Sequence, residues 1–205
     1  MARIAGVTGG PLFSVVLASH GRGQHILPTI ESALGQTLRD FELLVVCDGP
    51  DAATTEVLAA TVRDPRLRIL ALPRHTGSQA GPNNHGIASA RGRYVAYLGH
   101  DDIWAPEHLQ TLAACFDATG CDFAVGGCAY HGPPGTDLLM ITGLFDDPAV
   151  ARTQFFPPSS FAHRRHWASG TPHWQSPETT RAPVDADFLL RAVEAGLRFA
   201  STGQI

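Results

Sequence analysis

The chain contains no lysine: all fifteen of its basic residues are arginine. A Walker-type phosphate loop, Schiff-base catalysis and pyridoxal phosphate chemistry are excluded with it, because each needs a lysine amine at its centre. Nor does the arginine cluster into a basic run, and the net charge is −4. Neutralising many phosphates takes clustered cations, so nucleic acid is not an expected partner. No apolar stretch approaches the roughly 20 residues of a membrane span. The apolar part of residues 1–11 is too short for a secretory signal. No membrane span is expected, and the expected location is the cytoplasm. The cysteines Cys47, Cys115, Cys121 and Cys128 show no CxxC pairing and lie in or beside apolar runs. They read as small buried hydrophobes suited to a reducing compartment.

What is present is an ordinary globular composition, 44% hydrophobic and 17% charged over 205 residues, enough for one sizeable core in a single domain. The pattern alternates. Phe13 to Ala18 (FSVVLA) predicts a strand, and Ile26, Ile30, Ala33 and Leu34 recur at helical spacing after the turn Ser19 to Gly23. Phe41 to Cys47 (FELLVVC) predicts a second strand ending at Asp48-Gly49-Pro50, with a helix through Val57, Leu58 and Val62. Leu67 to Leu72 predicts a third, followed by the polar stretch Arg74 to Asn84 and a helix from about Asn84 to Ala90. Tyr94 to Leu98 predicts a fourth, followed by a helix near Pro106 that carries Leu109, Leu112, Ala113 and Phe116. Strands this apolar, alternating with helices, predict an α/β fold with a mostly parallel, covered sheet. Beyond that the pattern is less regular: strands at Phe123 to Val125 and Leu138 to Thr142, a loop or lid over Gly143 to Pro158, and a helix with Asp185 and Asp187 in its first turn.

Ligands in such sheets bind outside the carboxyl ends of the strands. Three chemically loaded loops fall there: Ser19 to Gly23, Asp48-Gly49, and His100-Asp101-Asp102. Adjacent ionised carboxylates repel, so a site that keeps Asp101 beside Asp102 calls for a cation. Mg²⁺ or Mn²⁺ fits, since these hard ions take oxygen ligands and leave positions open for substrate phosphates. The alternative is that one of the pair caps the following helix. Asp48 alone is balanced between helix cap and ligand contact. His100, by the alternation of a strand, should point away from the Asp101 side chain. Trp167 and Trp174 are read as core residues before sugar-stacking ones.

Four segments carry a family resemblance in their order and spacing: Phe13 to Leu17, Gln36 to Gly49 (QTLRDFELLVVCDG), Asn84 to Leu98 (NHGIASARGRYVAYL), and Asp101-Asp102. Together they resemble the family 2 glycosyltransferases of the GT-A fold, within the nucleotide-diphospho-sugar transferase superfamily. The likeness runs from about Phe13 to Trp104 and resumes over Val184 to Phe199. It implies a Rossmann-like α/β/α sandwich, a nucleotide-sugar-binding half over residues 1–104 and an acceptor-side half, short at its C-terminus, over 105–205. It further implies a nucleotide-diphosphate sugar donor, with a UDP-sugar favoured, a hydroxyl acceptor of unknown identity, and Mn²⁺ or Mg²⁺ as cofactor. Carried over by position, Ala18, Ser19 and Asp48 contact the nucleoside. Asp101 lies against ribose or metal, Asp102 is the main metal ligand, and Asp185 is the catalytic base of an inverting transfer. His163 is a weaker candidate for phosphate or acceptor contact.

The departures are specific. Gly99 stands where many relatives carry a further acid, Cys47 where the first Asp of an Asp-Asp-Gly run is common, Asn83 where Arg is frequent, and Val184 where Glu often precedes the base. Two rival readings are a catalytically weak scaffold that keeps the fold, and a dinucleotide-binding dehydrogenase suggested by Gly21-Arg22-Gly23 after the first strand. The latter lacks its third glycine, with Ile26 in that place, and leaves Asp101 and Asp102 without a task.

Overall fold

The computed structural model describes residues 9–149 and 153–205. Its first strand, β1 (Phe13–Ser19), is buried along its length, and its side chains alternate between two cores. Phe13, Val15 and Leu17 face one apolar cluster and Val16 the other, as period-2 geometry requires. β2 (Phe41–Cys47) pairs parallel to β1. β3 (Leu67–Ala71) and β4 (Tyr94–Tyr97) extend the sheet on either side. Helices α1 (Leu27–Leu34), α2 (Ala52–Thr61) and α4 (His108–Thr119) supply residues to the Phe13 cluster. On the Val16 side stand α3 (Ala80–Ser89) and α5 (Val184–Glu194). The result is the expected three-layer α/β/α sandwich.

The second half departs from simple alternation. Among the described residues the main sheet runs β3-β2-β1-β4-β8-β5-β9, with β5 at Phe123–Val125, β8 at Phe161–Arg164 and β9 at Phe199–Ser201. β8 is antiparallel to both β4 and β5, so a segment from the C-terminal half is inserted beside the strand that ends at the Asp pair. β6 (Cys128–His131) and β7 (Leu139–Thr142) form a separate hairpin. The stretch read as a loop or lid is tied down by Phe145 and by Phe156, which is fully buried; residues 150–152 within it lie outside the described set.

Helix boundaries differ from expectation for local reasons. α3 starts at Ala80 rather than Asn84, because the Ala80 amide donates to Ser78 Oγ (3.1 Å) and Pro82 falls in the first turn, where its missing N–H costs nothing. α4 starts at His108, and neither Asp101 nor Asp102 caps it. The fully buried Gln36 does so from across the fold, accepting from the Leu109 amide (2.9 Å) and donating to the Ala105 carbonyl (2.7 Å). The cysteines are free; Cys47, Cys115 and Cys121 are buried, and Cys128 is half-buried.

Behind β4 and β8 lies an aromatic core in which Trp174 stacks on Phe188 at 4.2 Å, with Tyr97, Phe161 and Trp167 around them. Both tryptophans are core residues. His163 sits inside this core, fully buried, with Nε2 2.8 Å from the Tyr97 hydroxyl and Nδ1 2.7 Å from the Arg164 carbonyl. It is therefore not available for phosphate or acceptor contact, which corrects that expectation. Burial pushes its pKa down to about 4, and that of His108 likewise to about 4. An unfolded histidine titrates near ~6.5, so this stability is fully present above about pH 6.5 and is lost as pH falls towards 4. The shift at His163 corresponds to about 3 kcal/mol. Melting temperature should hold level from pH 7.5 to about 6.5 and fall from there to 4.5, and His163→Gln should flatten that fall; a wild-type profile that stays level throughout refutes the assignment.

Candidate active site

The carboxyl ends of β1, β2 and β4 open on a cleft of about 940 Å³ lined by Ala18, Ser19, Asp48, Gly99, Asp101 and Asp102, with Ala182, Pro183 and Val184 on its wall. Five of the sequence-derived positions thus meet in one place. Asp185, the sixth, follows the cleft-lining Val184 in the chain but does not itself line the cleft.

Asp48 is buried, and its carboxylate is fully engaged by the following loop. Oδ1 accepts from the Thr76 amide (2.9 Å) and hydroxyl (2.7 Å), and Oδ2 accepts from the Gly77 amide (3.1 Å) and lies 2.9 Å from His75 Nδ1. Asp48 is not a helix cap; α2 is capped by Asp51, which accepts from the Thr54 amide. It shapes the His75–Gly77 loop, over which the His20 and His75 rings stack at 3.9 Å. Ser19 is 2% exposed, and its Oγ finds no hydrogen-bond partner among the described residues. A buried hydroxyl without a partner is costly unless something completes it, and Ser19 lines the cleft.

The glycines after β1 do not form a dinucleotide loop. The Gly21 amide donates to Asp51 Oδ2 and the Gly23 amide to Thr54 Oγ1, both at 2.9 Å. The donors that a pyrophosphate would need are spent on α2, which disposes of the dehydrogenase reading.

β4 ends at Tyr97, so strand alternation does not reach the loop beyond it. His100 consequently turns into the site instead of away: Nδ1 lies 3.1 Å from the Ala18 carbonyl and Nε2 3.8 Å from Asp101 Oδ2. Arg22 contacts both the His100 ring and Asp101, the latter at 3.5 Å. The side chain of Asp101 is 70% exposed. Asp102 Oδ2 accepts from Ser159 Oγ (2.5 Å), and Oδ1 takes no hydrogen bond among the described residues. Burial and then the Asp102 charge push the Cys128 thiol up. The Tyr130 hydroxyl is pushed up to about 12 by burial, then by Cys128, Asp102 and Asp185. Tyr130 therefore stands within electrostatic reach of both carboxylates.

Asp185 is half-buried in the first turn of α5, its Oδ1 accepting from the Ala186 amide (2.9 Å). Asp187, one turn position on, is committed to Arg191 (2.8 Å). Among the described residues Asp185 has no such cation. Arg22 belongs to the Ser19 to Gly23 loop that the sequence marks; Thr76 and Ser159 are not singled out by sequence, because their partners lie 28 and 57 residues away and no local pattern marks them.

No group of three or more His, Cys, Asp and Glu among the described residues could hold a metal ion by itself. The donor set fits a different arrangement. Two adjacent carboxylates, all oxygen and open to a cleft, suit a hard divalent cation that completes its shell with diphosphate oxygens. No helix among the described residues is long and apolar enough to cross a membrane.

The comparisons with known proteins agree with this geometry. Residues 14–171 match the family described as glycosyl transferase family 2. The chain is 36% identical over 142 residues to the succinoglycan biosynthesis protein ExoO of Rhizobium meliloti, covering 69% of this chain and 39% of that one. Among solved structures it resembles S. aureus TarS 1-349 in complex with UDP-GlcNAc (TM-score 0.75, 18% identity, 92% of this chain and 55% of that one). It also resembles the mannosyltransferase PcManGT of Pyrobaculum calidifontis in complex with GDP-Man and Mn²⁺ (TM-score 0.70, 15% identity, 95% and 55%). The chain thus spans roughly two-fifths to just over half the length of these proteins. With more than half of its residues matched to one family and a GT-A architecture to go with them, the chain belongs to glycosyl transferase family 2.

Proposed function

We propose that this chain is the donor-binding and catalytic unit of a metal-dependent, inverting glycosyltransferase that moves a sugar from a nucleotide-diphosphate donor to a hydroxyl acceptor in polysaccharide or glycoconjugate synthesis. The observation that carries the reading is the Asp101–Asp102 pair in the loop after β4, open to a cleft that also holds a buried Ser19 hydroxyl without a hydrogen-bond partner among the described residues. A UDP-sugar is the favoured donor, in keeping with the UDP-GlcNAc complex of the similar TarS; Mn²⁺ or Mg²⁺ is the cation, in keeping with the Mn²⁺ complex of PcManGT.

In this reading Ala18, Ser19 and the Asp48-ordered loop receive the nucleoside, and Asp101 lies against the ribose or the cation. Asp102 holds the cation. Bound there, a divalent ion neutralises the charge that builds on the departing diphosphate. Arg181, exposed on the cleft wall, supplies positive charge that Asn83 does not. Asp185 accepts the proton of the acceptor hydroxyl as that oxygen attacks the anomeric carbon. A single displacement of this kind inverts the anomeric configuration.

The test is a thermal-shift panel of UDP, GDP and dTDP with and without Mn²⁺, on the wild type and on Asp102→Asn. A nucleotide at about 100 times its dissociation constant stabilises by roughly 2.7 kcal/mol, or about 5–10 °C for a chain of this length. UDP should give that shift with Mn²⁺ present, and Asp102→Asn should remove the metal-dependent part. If UDP and Mn²⁺ leave the wild type unmoved, the donor-site reading is wrong.

A further inference from the structure

The Asp102 carboxylate is held by a residue that neither the charge pattern nor the resemblance singles out. Ser159 comes from the short 3₁₀ turn Pro158–Ser160 that precedes β8, and it is buried. Its hydroxyl accepts from the Gly99 amide (2.7 Å) and lies 2.5 Å from Asp102 Oδ2. A serine hydroxyl has one proton; with the amide already donating to its oxygen, that proton is directed to the carboxylate. The turn is itself fixed, since Trp104 Nε1 donates to the Ser159 carbonyl (2.7 Å) and the Ser160 amide to the Pro157 carbonyl (2.9 Å). Gly99 completes the fit. A Cβ at that position would come within 2.4 Å of Asp102 Oδ2 and 3.4 Å of Ser159 Oγ, so the carboxylate packs against a bare α-carbon.

We propose that Ser159 is a positioning residue for the cation site: its hydroxyl commits one oxygen of Asp102 to the protein and leaves the other for a divalent cation shared with the donor diphosphate. The inference rests on the reading of Asp102 as the cation ligand. It also accounts for a departure from the family pattern. Where many relatives carry a further acid, this chain has Gly99, and the space so released is occupied by a hydrogen-bonded carboxylate. Asp102 is oriented through the 3₁₀ turn and β8 instead of by repulsion from a neighbouring acid. Partners of this kind, one bond removed from the ion, typically govern metal affinity by 10- to 100-fold.

Mn²⁺ uptake followed by electron paramagnetic resonance of the free ion, in the presence of UDP, separates the possibilities when run on the wild type, Ser159→Ala and Ser159→Thr. UDP affinity without metal is measured alongside. The alanine variant should need about tenfold more Mn²⁺ or beyond for half-saturation, the threonine variant should bind nearly as the wild type does, and metal-free UDP affinity should be equal in all three. An alanine variant with wild-type Mn²⁺ affinity overturns the positioning role while leaving Asp102 as ligand. A threonine variant as weak as alanine, or an equal loss of metal-free UDP binding in the alanine variant, overturns it too, because the hydroxyl would not be the cause. A wild type that takes up no Mn²⁺ with UDP removes the Asp102 reading and this inference with it.

Discussion

Asp185→Asn is expected to lower turnover by about 10²- to 10⁴-fold, the usual contribution of a positioned general base, while UDP still stabilises the variant as it does the wild type. The amide is isosteric and can keep the hydrogen bond from the Ala186 amide to Oδ1, so α5 should remain intact. What it cannot do is accept a proton at neutral pH. Asp185 is suited to the role because it stands in the first turn of α5, next to the cleft-lining Val184, and because no cation among the described residues pairs with it. Asp187 provides the internal control: its carboxylate is tied to Arg191, and Asp187→Asn should cost stability of well under about 1 kcal/mol and leave turnover within a few-fold. The assay is UDP release from the UDP-sugar, with acceptor sugars supplied. Turnover of Asp185→Asn within threefold of wild type would place the base elsewhere.

The parts of this molecule legible in its sequence are those whose physics is local. β1 and β2 are readable because their β-branched apolar runs, Val15 to Ala18 and Leu43 to Cys47, leave few other options, and the Asp101–Asp102 pair because like charges held together demand an explanation. Contacts between distant segments were not readable. Asp48 looked balanced between cap and ligand because its partners Thr76 and Gly77 lie 28 and 29 residues further on. β8 is four residues long, and its place is set by β4 and β5, not by any pattern of its own. His100 defies period-2 alternation because it lies three residues past the end of β4. His163 looked chemically available because burial of a polar ring, satisfied at both nitrogens, leaves no mark in the sequence. The candidate site is therefore half visible: its acids stand out in the sequence, and the hydroxyls and amides that bond them do not.

Glu42 shows how such unseen contacts can dominate stability, and Glu42→Ala is expected to cost about 3–5 kcal/mol, a fall in melting temperature of about 10 °C for a chain of this size. Glu42, the second residue of β2, is 5% exposed. Oε1 accepts from Ser14 Oγ (2.7 Å) and the Arg91 amide (2.8 Å), and Oε2 from Arg68 (2.6 Å) and the Arg91 side chain (3.2 Å). Burial alone would raise its pKa, but the bonds from Ser14, Arg91 and Arg68 and the Arg91 charge outweigh it, and the net shift is downward. Its stabilisation is thus present above the unfolded value near 4.5 and is lost as pH falls through the lower folded value. Truncation leaves the Arg91 amide only its longer bond to Ser14 Oγ (3.1 Å) and Arg68 beside a buried gap, which is the expensive way to break an ion pair. The same network reaches the active site. Ser14 Oγ also accepts from the Gly92 amide (2.8 Å), at a point where any Cβ on residue 92 would meet the Ser14 backbone nitrogen at 2.4 Å. That contact sets how β4 enters the sheet beside β1, and so where its far end delivers Asp101 and Asp102. Urea denaturation at pH 7.5 measures the stability loss. The thermal shift with UDP and Mn²⁺ should also shrink in Glu42→Ala below its melting temperature, whereas an unchanged shift in a destabilised variant would mean that the network supports the fold without setting the register of the site.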